Sequence, residues 1–296
     1  MRVVVTGAAG QVGSELCQML ALDSRVAAWQ GLTRGDLDIT SAPRVRAVLA
    51  DQARPAADQG GLVVINAAGW TDVDGAETDE AGAYALNATA AANLAAACDA
   101  VDAVMIHISS DYVFDGRADK PYEVDDPTGP TSAYGRTKLA GEQAVRALCP
   151  RSHIVRTAWV YGAVGNNFVK TIARLATSRD SLRVVDDQRG APTWTADLAP
   201  ALVDLAASDA PYGVYHRTGG GDVTWFGFAR AIVEELGLDP AMVHPTTTDA
   251  FPRPAPRPAY SVLSSRAWTD AGLDAPRGWR PALAAAFARD GGAFRS

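Results

Sequence analysis

Long apolar runs and cysteines are both scarce in this chain of 296 residues. No stretch approaches the roughly 18 consecutive apolar residues of a membrane-spanning helix, and the N-terminus lacks the apolar region of a secretory signal. The three cysteines, Cys17, Cys98 and Cys149, are odd in number and far apart. This pattern favours reduced thiols over a disulfide framework or a metal site. We therefore expect a cytoplasmic protein that does not associate with membranes.

Positive charge is in deficit, because 27 Lys and Arg residues face 34 Asp and Glu residues, for a formal net charge of −7 at pH 7. This balance argues against general affinity for nucleic acid. The four histidines, His107, His153, His216 and His244, show no metal-ligand spacing. The composition, with 48% hydrophobic and 21% charged residues, is that of a globular protein. Its length permits one large α/β domain, or a medium domain with a smaller second one.

Short apolar segments alternate with helical patterns through the first half of the chain. The predicted strands are Arg2–Val5, a weaker one around Arg25–Thr33, Leu62–Asn66, Ala103–Ser109 and His153–Thr157. The predicted helices between them are Gln11–Leu22, Ala81–Cys98 and Ala133–Leu148. Strands separated by helices indicate βαβ units and a parallel sheet. We therefore predict an α/β fold with a Rossmann-type, doubly wound sheet.

The pattern changes after about residue 161. The second half combines predicted helices at 168–177, 197–207 and 225–236 with a short strand at 182–185. The proline-rich segment, residues 251–258, is expected to be an extended loop, because proline lacks a donor and restricts its neighbours. We assign residues 1–160 to a dinucleotide-binding domain and 161–296 mainly to a smaller substrate-binding lobe. Some segments between about 186 and 222 are expected to return to the first domain.

Gly7, Gly10 and Gly13 follow the first predicted strand and open the first helix. Glycines in this context allow a tight turn and a close approach of the backbone to a pyrophosphate, which then lies at the helix N-terminus. Two residues separate the first two glycines, whereas the common fingerprint has one. We expect nucleotide binding here rather than a tight turn without a ligand.

The residues after the second predicted strand bear on the choice between NADH and NADPH. An acidic residue there selects NAD, whereas an arginine accommodates the 2′-phosphate of NADP. The chain has Arg34 followed by Asp36 and Asp38. This mixture leaves the preference open.

Tyr134 and Lys138 are four residues apart in a predicted helix, so they lie on the same face. An ammonium near a phenol favours the phenolate, and we expect Lys138 to lower the pKa of Tyr134 from about 10. Tyr134 is then a suitable proton donor for a carbonyl reductase. The Ser110 hydroxyl, directly after a predicted strand, is placed to hydrogen-bond the substrate carbonyl.

Ordered segments along nearly the whole chain form a further pattern. They are Gly7–Gly13, Asp38–Thr40, Asn66–Asp74, Glu77, Ser109–Gly116, Tyr134–Glu142, Arg156–Gly162, Asn166–Phe168, Asp187–Thr193 and Pro256–Leu263. In these segments the chain resembles the extended short-chain dehydrogenase/reductase superfamily and, within it, the dTDP-4-dehydrorhamnose reductase family. The resemblance implies NADPH- or NADH-dependent reduction of the C4 ketone of dTDP-4-dehydro-6-deoxy-L-mannose (dTDP-4-dehydro-β-L-rhamnose) to dTDP-β-L-rhamnose. That reaction is the last step of dTDP-L-rhamnose synthesis.

The resemblance also implies roles for individual residues, with the second lobe holding the sugar nucleotide. The catalytic residues would be Ser110, Tyr134 and Lys138. The cofactor would contact Gly7, Gly10, Gln11, Val12, Gly13, Arg34, Asp38, Ile39, Gly69, Trp70, Thr71, Tyr134 and Lys138. The sugar nucleotide would contact Val73, Ser110, Asp111, Trp159, Asn167 and Arg257, the last through its diphosphate, since an arginine binds phosphate oxygens bidentately.

Core packing is the alternative role for Trp159, and a turn or helix cap is the alternative for Asn167. Two positions depart from the family pattern. Many members have Thr where this chain has Ser110, and many have His where it has Trp70. Some members use Mg²⁺ at a dimer interface through acidic residues. Because these ligands have no clear counterpart here, the resemblance leaves Mg²⁺ use and homodimer formation open.

Other functions remain as alternatives. A sugar-nucleotide 4,6-dehydratase is disfavoured, because its relatives carry Asp-Glu where this chain has Asp111-Tyr112. A C4 epimerase, or a 4-ketoreductase or epimerase acting on another dTDP-deoxysugar, fits the same residues. A non-catalytic, NADP-binding regulatory subunit, such as that of methionine adenosyltransferase, has a related fold. The presence of Ser110, Tyr134 and Lys138 argues against that last reading.

Overall fold

The computed structural model describes residues 1–295. The strands are β1 (Arg2–Thr6), β2 (Ala28–Leu32), β3 (Leu62–Asn66), β4 (Val104–Ser110), β5 (Ser152–Thr157), β6 (Val160–Tyr161), β7 (Leu182–Val185), β8 (Arg189–Gly190), β9 (Thr193–Trp194), β10 (Gly213–His216), β11 (Val223–Thr224) and β12 (Val243–Thr246). The helices are α1 (Gln11–Leu20), α2 (Ala42–Ala56), α3 (Gly75–Thr78), α4 (Glu80–Tyr84), α5 (Ala90–Ala100), α6 (Ala133–Leu148), α7 (Phe168–Ala176), α8 (Thr195–Ala207), α9 (Trp225–Glu235), α10 (Arg266–Asp270) and α11 (Trp279–Arg295).

Six parallel strands form the central sheet in the order β10-β5-β4-β3-β1-β2. The chain first moves from β1 to β2 on one side, and then crosses to β3 on the other side of β1. Ligands in such sheets bind in the crevice beyond the carboxyl ends of the strands, at this switch point. The predicted Rossmann-type parallel sheet is confirmed.

Both faces of the sheet are buried, which explains the continuous apolar runs in its strands. Successive strand residues point to opposite faces. Val4 therefore packs with α2, α5 and α6 on one face, whereas Val3 and Val5 pack with α1 and α8 on the other. The result is a three-layer unit with helices on both sides of the sheet.

A second core lies in the C-terminal half of the chain. It is formed by α7, α9 and α11 with the parallel pair β7 and β12, around the buried aromatic residues Tyr161, Trp194 and Phe228. The proline-rich segment contains no regular helix or strand, as predicted. Within residues 1–295, no helix has both the length and the apolar character needed to cross a membrane.

Helix α1 connects the three-layer unit to the second core. Its first residue, Gln11, donates from Nε2 to the Asn166 carbonyl (3.3 Å) and accepts from Asn167 Nδ2 (3.1 Å). One turn later, both carboxylate oxygens of Glu15 accept from the Arg289 guanidinium, at 2.7 and 2.8 Å. The side chains at the start of α1 are therefore bound to α11 and to the loop that precedes α7.

The helix predicted at Ala81–Cys98 contains an irregularity. α4 and α5 are joined by a five-residue π-helical segment, Ala85–Thr89. π-helical segments occur frequently at functional sites. Asn87 lies in this segment and is almost fully buried. The sequence pattern predicts the helix but not its change of hydrogen bonding.

Candidate active site

The glycine-rich turn links the end of β1 to α1. Gly7 has a positive φ of 73°, and a Cβ there would lie 2.6–2.8 Å from the Ala67–Ala68 backbone. A Cβ at Gly13 would overlap the Gly7 carbonyl oxygen. Gly10 is the N-cap of α1 and supplies no side-chain cap, so the first N–H groups of the helix remain available to an anion. The turn and the helix start fit a dinucleotide pyrophosphate.

The acidic residues after β2 use their carboxylates within their own loop. Asp36 accepts from the backbone and hydroxyl of Thr33, and Asp38 accepts in the same way from Thr40, at 2.7–3.0 Å. These hydrogen bonds lower the pKa of both carboxyls. Arg34 beside them is exposed. An exposed arginine next to carboxylates that are already hydrogen-bonded fits a 2′-phosphate better than a ribose hydroxyl.

The loop after β3 is held against α6 by Asn87. Asn87 Oδ1 accepts from the Trp70 N–H (2.8 Å), and its Nδ2 donates to Thr137 Oγ1 (3.0 Å). Gly69, which precedes Trp70, lies close to Lys138, since a Cβ at position 69 would be 3.9 Å from Lys138 Nζ. Thr71, which follows Trp70, is exposed. Of these expected cofactor contacts, Gly69 therefore lies beside Lys138.

Ser110 ends β4 and lies next to both Asp111 and Tyr134. Its hydroxyl donates to Asp111 Oδ1 (2.8 Å) and accepts from the Tyr112 N–H (3.2 Å), and it lies beside the Tyr134 side chain. Asp111 Oδ2 is buried without a well-formed hydrogen bond in the described part of the chain, although the Ser261 hydroxyl lies beside it. Burial raises the pKa of Asp111 to about 6, against the opposing effect of these hydroxyls. The structure therefore brings the proposed hydroxyl and proton donor together.

Lys138 lies one turn beyond Tyr134 on α6, as the spacing predicts, and is almost fully buried. Its ammonium donates to the Ile108 carbonyl of β4 (2.7 Å). Burial lowers the pKa of Lys138 to about 8, and nearby Glu142 opposes this shift.

The expectation that Lys138 lowers the pKa of Tyr134 is wrong for this structure. Burial raises the pKa of Tyr134 to about 12, and the neighbouring Ser110 hydroxyl offsets only part of the rise. The cost of a buried phenolate exceeds the help of an ammonium that is hydrogen-bonded to Ile108. Tyr134 is consequently a neutral phenol that carries its proton at neutral pH.

Comparison with known proteins decides the family. The model of the family described as RmlD substrate binding domain matches residues 1–291. A dTDP-4-dehydrorhamnose reductase of Streptomyces griseus is 50% identical over 291 residues, which cover 97% of this chain and 93% of that relative. The chain belongs to the dTDP-4-dehydrorhamnose reductase family.

Solved structures and other relatives agree with this reductase family. The crystal structure of dTDP-4-dehydrorhamnose reductase from Bacillus anthracis in complex with NADP has a TM-score of 0.90 and 36% identity, covering 97% of this chain and 98% of that one. A relative from Streptomyces niveus, 45% identical, is named dTDP-4-keto-6-deoxy-D-glucose reductase; the match covers 97% of this chain and 96% of that relative. Names in this group therefore include more than one 4-keto sugar.

In this member of the reductase family, two expected sugar contacts have structural partners. Trp159 has a positive φ of 49° and stacks on Trp225, with ring centroids 3.4 Å apart. Asn167 is the N-cap of α7: its Oδ1 accepts from Lys170 N (3.1 Å), and its Nδ2 also donates to the Gly162 carbonyl (2.8 Å). The amide of Asn167 is therefore used within the protein, so the helix-cap alternative describes its contacts.

The side chains of three expected cofactor contacts, Gln11, Val12 and Ile39, already contact other parts of the protein. The side chain of Gln11 is hydrogen-bonded to the loop before α7, through one N–H donor and its carbonyl oxygen. Val12 and Ile39 pack against the apolar cores on the two faces of the sheet.

No metal site supports the Mg²⁺ that the family resemblance left open. Within residues 1–295, no group of three or more His, Cys, Asp or Glu side chains is arranged to hold a metal ion.

A buried ion pair behind the site has no counterpart among the residues chosen from the sequence. Glu142 of α6 accepts from Arg156 of β5 through both oxygens (2.9 and 2.8 Å) and from Ser109 Oγ of β4 (2.5 Å). The side chains of the pair are only 3–4% exposed. Both residues lie inside segments of the family pattern, but no local spacing joins them. Together they connect α6 to β5 and to β4, the strand that ends at Ser110.

Replacing Glu142 by Gln should lower the free energy of unfolding by about 3–5 kcal/mol, because Arg156 would stay buried without its counter-charge. Urea denaturation measures this change. Glu80→Gln is the matched control, since the Glu80–Arg136 pair also involves α6 but is nearly half exposed; its cost should stay below about 1 kcal/mol. Equal losses in the two variants would contradict a special role for the buried pair.

Replacing Asp111 by Asn should stabilise the protein at pH 8. The folded protein binds the Asp111 proton more tightly than the unfolded chain does, so the wild type loses stability as pH rises from about 4 to 6. Removing this buried charge should add about 2–3 kcal/mol to the free energy of unfolding at pH 8 and little at pH 4. Denaturation at both pH values measures the difference, and a pH-independent effect would contradict it.

Proposed function

We propose that this chain catalyses the NADPH-dependent reduction of the C4 ketone of dTDP-4-dehydro-β-L-rhamnose to dTDP-β-L-rhamnose. The observation that carries the proposal is the grouping of Ser110, Tyr134 and Lys138 at the carboxyl end of β4, where Ser110 lies beside Tyr134 and the Lys138 ammonium donates to the Ile108 carbonyl. This arrangement lies at the strand edge where the glycine-rich turn of Gly7 and Gly13 also ends. Family membership supports both the reaction and the sugar.

A reduced nicotinamide, when bound, supplies the hydride that the carbonyl carbon receives. The single Ser110 hydroxyl proton turns from Asp111 to the carbonyl oxygen and shares the negative charge that develops on it. Tyr134 donates its phenolic proton to that oxygen, which as an alkoxide is a stronger base than the phenolate left behind. A tyrosine pKa of about 12 therefore suits an acid that must keep its proton until the hydride has arrived. Lys138 lies beside Gly69, where it can hold the nicotinamide ribose.

NADPH is the proposed cofactor because of the loop after β2. Arg34 is exposed, whereas Asp36 and Asp38 are bound to Thr33 and Thr40. The Bacillus anthracis relative in complex with NADP supports the same choice. We assign residues 1–160 mainly to the cofactor and residues 161–296 mainly to the sugar nucleotide. The remaining substrate contacts would come from Val73, Asp111, Trp159 and Arg257.

Tyr134→Phe should reduce turnover by about 10²–10⁴-fold, because it removes the proton donor but keeps the ring and its packing. NADPH affinity, measured by fluorescence titration, should stay within about twofold of the wild type. Tyr84→Phe is the control, since Tyr84 is 51% exposed on α4 and should retain full turnover. Near wild-type turnover of the Tyr134 variant would show that another group is the acid.

A coupled assay tests which dTDP-4-keto sugar is the substrate. dTDP-glucose is converted in situ by a 4,6-dehydratase, with or without a 3,5-epimerase, and the loss of NADPH or NADH is followed with identification of the product. We expect NADPH oxidation and dTDP-L-rhamnose only when the epimerase is present. No consumption of either cofactor would overturn the reductase proposal.

A 4-ketoreductase for another dTDP-deoxysugar is the second candidate. It is favoured by the Streptomyces niveus relative, whose name refers to a 4-keto-6-deoxy-D-glucose. In the same assay, this alternative predicts NADPH oxidation without the epimerase. The two arms therefore separate the candidates in one experiment.

A further inference from the structure

The proline-rich segment is fixed at the site by one carboxylate. Asp74, in the loop after β3, accepts from the Ala255 N–H (3.2 Å) and pairs with the Arg257 guanidinium (2.9 Å). Arg253 Nη1 lies 3.9 Å from the same carboxylate oxygen that pairs with Arg257. Downstream, Pro258 packs so closely against the loop after β4 that a Cβ at Gly116 would overlap it.

The charges at this contact do not balance. Residues 251–258 contain two arginines and no acidic residue, and both guanidinium groups lie within 4 Å of the Asp74 carboxylate. Arg257 uses one nitrogen for Asp74 and another for the Ala255 carbonyl (3.0 Å), which leaves some of its five N–H donors for another acceptor. Arg257 therefore keeps donors with which it can bind a further anion.

The ion pair is close to the reacting end of the site. The pKa of Tyr112 responds to the charges of both Arg257 and Asp74. The Tyr112 ring in turn packs edge-on against the ring of Tyr134, with centroids 5.4 Å apart. An anionic group of a substrate that reaches Tyr134 would therefore meet the arginines beside Asp74.

We propose that Asp74 competes with the diphosphate of the nucleotide sugar for Arg257 and Arg253. The carboxylate occupies the arginines between turnovers and repels the diphosphate that takes its place. It thereby weakens the binding of the product, the reduced nucleotide sugar, and favours its release. This inference rests on the proposed function for the identity of the anion, and it adds a residue that sets affinity without touching the reacting atoms.

The test is calorimetric titration of the full-length protein with dTDP. Asp74→Asn keeps the acceptor for Ala255 but removes the charge, so the Kd for dTDP should fall at least threefold and the KM for the sugar nucleotide should fall with it. Arg257→Gln should raise the Kd at least tenfold. In the Arg257→Gln background, Asp74→Asn should lower the Kd by a smaller factor than in the wild type, because only Arg253 then remains to be freed.

Asp72→Asn is the matched control. It removes the same charge from the same loop, but the Asp72 carboxylate accepts from Gly75 N (2.9 Å) and contacts neither arginine. Its Kd for dTDP should stay within twofold of the wild type. Because Arg253 is 63% exposed, Arg253→Gln tests the second cation without risk to the fold, and it should raise the Kd at least twofold. The gain from Asp74→Asn should shrink at 0.5 M salt, where charges are screened.

A purely structural role for Asp74 predicts the opposite sign, since a loosened proline-rich segment would bind dTDP more weakly. Unchanged or weaker dTDP binding by Asp74→Asn would therefore overturn the inference and leave the proposed function intact. Failure of the wild type to bind dTDP would also overturn the inference, whereas the proposed function is overturned only if neither NADPH nor NADH is consumed in the coupled assay.

Discussion

The buried ion pair between Glu142 and Arg156 sets the geometry on which the rest of the site depends. Glu142 lies two turns after Tyr134 on α6, and Arg156 lies on β5 beside the strand that carries Ser110. The short hydrogen bond from Ser109 adds β4 to the same cluster. A bidentate contact tolerates little rotation, so α6 cannot turn or slide against the sheet. The position of Tyr134 relative to Ser110 is therefore held by contacts on the side of α6 and β4 away from the proposed substrate.

The same dry environment determines the protonation of the site. Burial raises the pKa of Tyr134 and Asp111 and lowers that of Lys138, so every charge placed there costs folding free energy. A site of this kind is less stable than an apolar one of the same size, and the surrounding core must offset the difference. The three-layer packing around β1, β3 and β4, with strands buried on both faces, contributes the folding free energy that offsets this loss.

The sequence predicts those features of the fold and site that depend on residues close together in the chain. The apolar strands, the turn at Gly7 and the single-turn spacing of Tyr134 and Lys138 all follow from neighbouring residues, and the structure contains each of them. The pairing of Glu142 with Arg156 and the bonds of Asn87 to Trp70 join positions 14 or more residues apart. Their partners depend on how the helices pack, which the one-dimensional pattern does not specify. The sign of the Tyr134 pKa shift was missed for the same reason, because burial is a property of the folded chain.

Helix α1 has a mechanical role as well as a chemical one. Its first two turns are anchored to the second core through Gln11 and Glu15, while its N-terminus is the proposed place of the pyrophosphate. Any rotation of α7 and α11 relative to the sheet must therefore pull on this helix or break those bonds. The helix proposed to bind the cofactor therefore also couples movements of the second core to the central sheet.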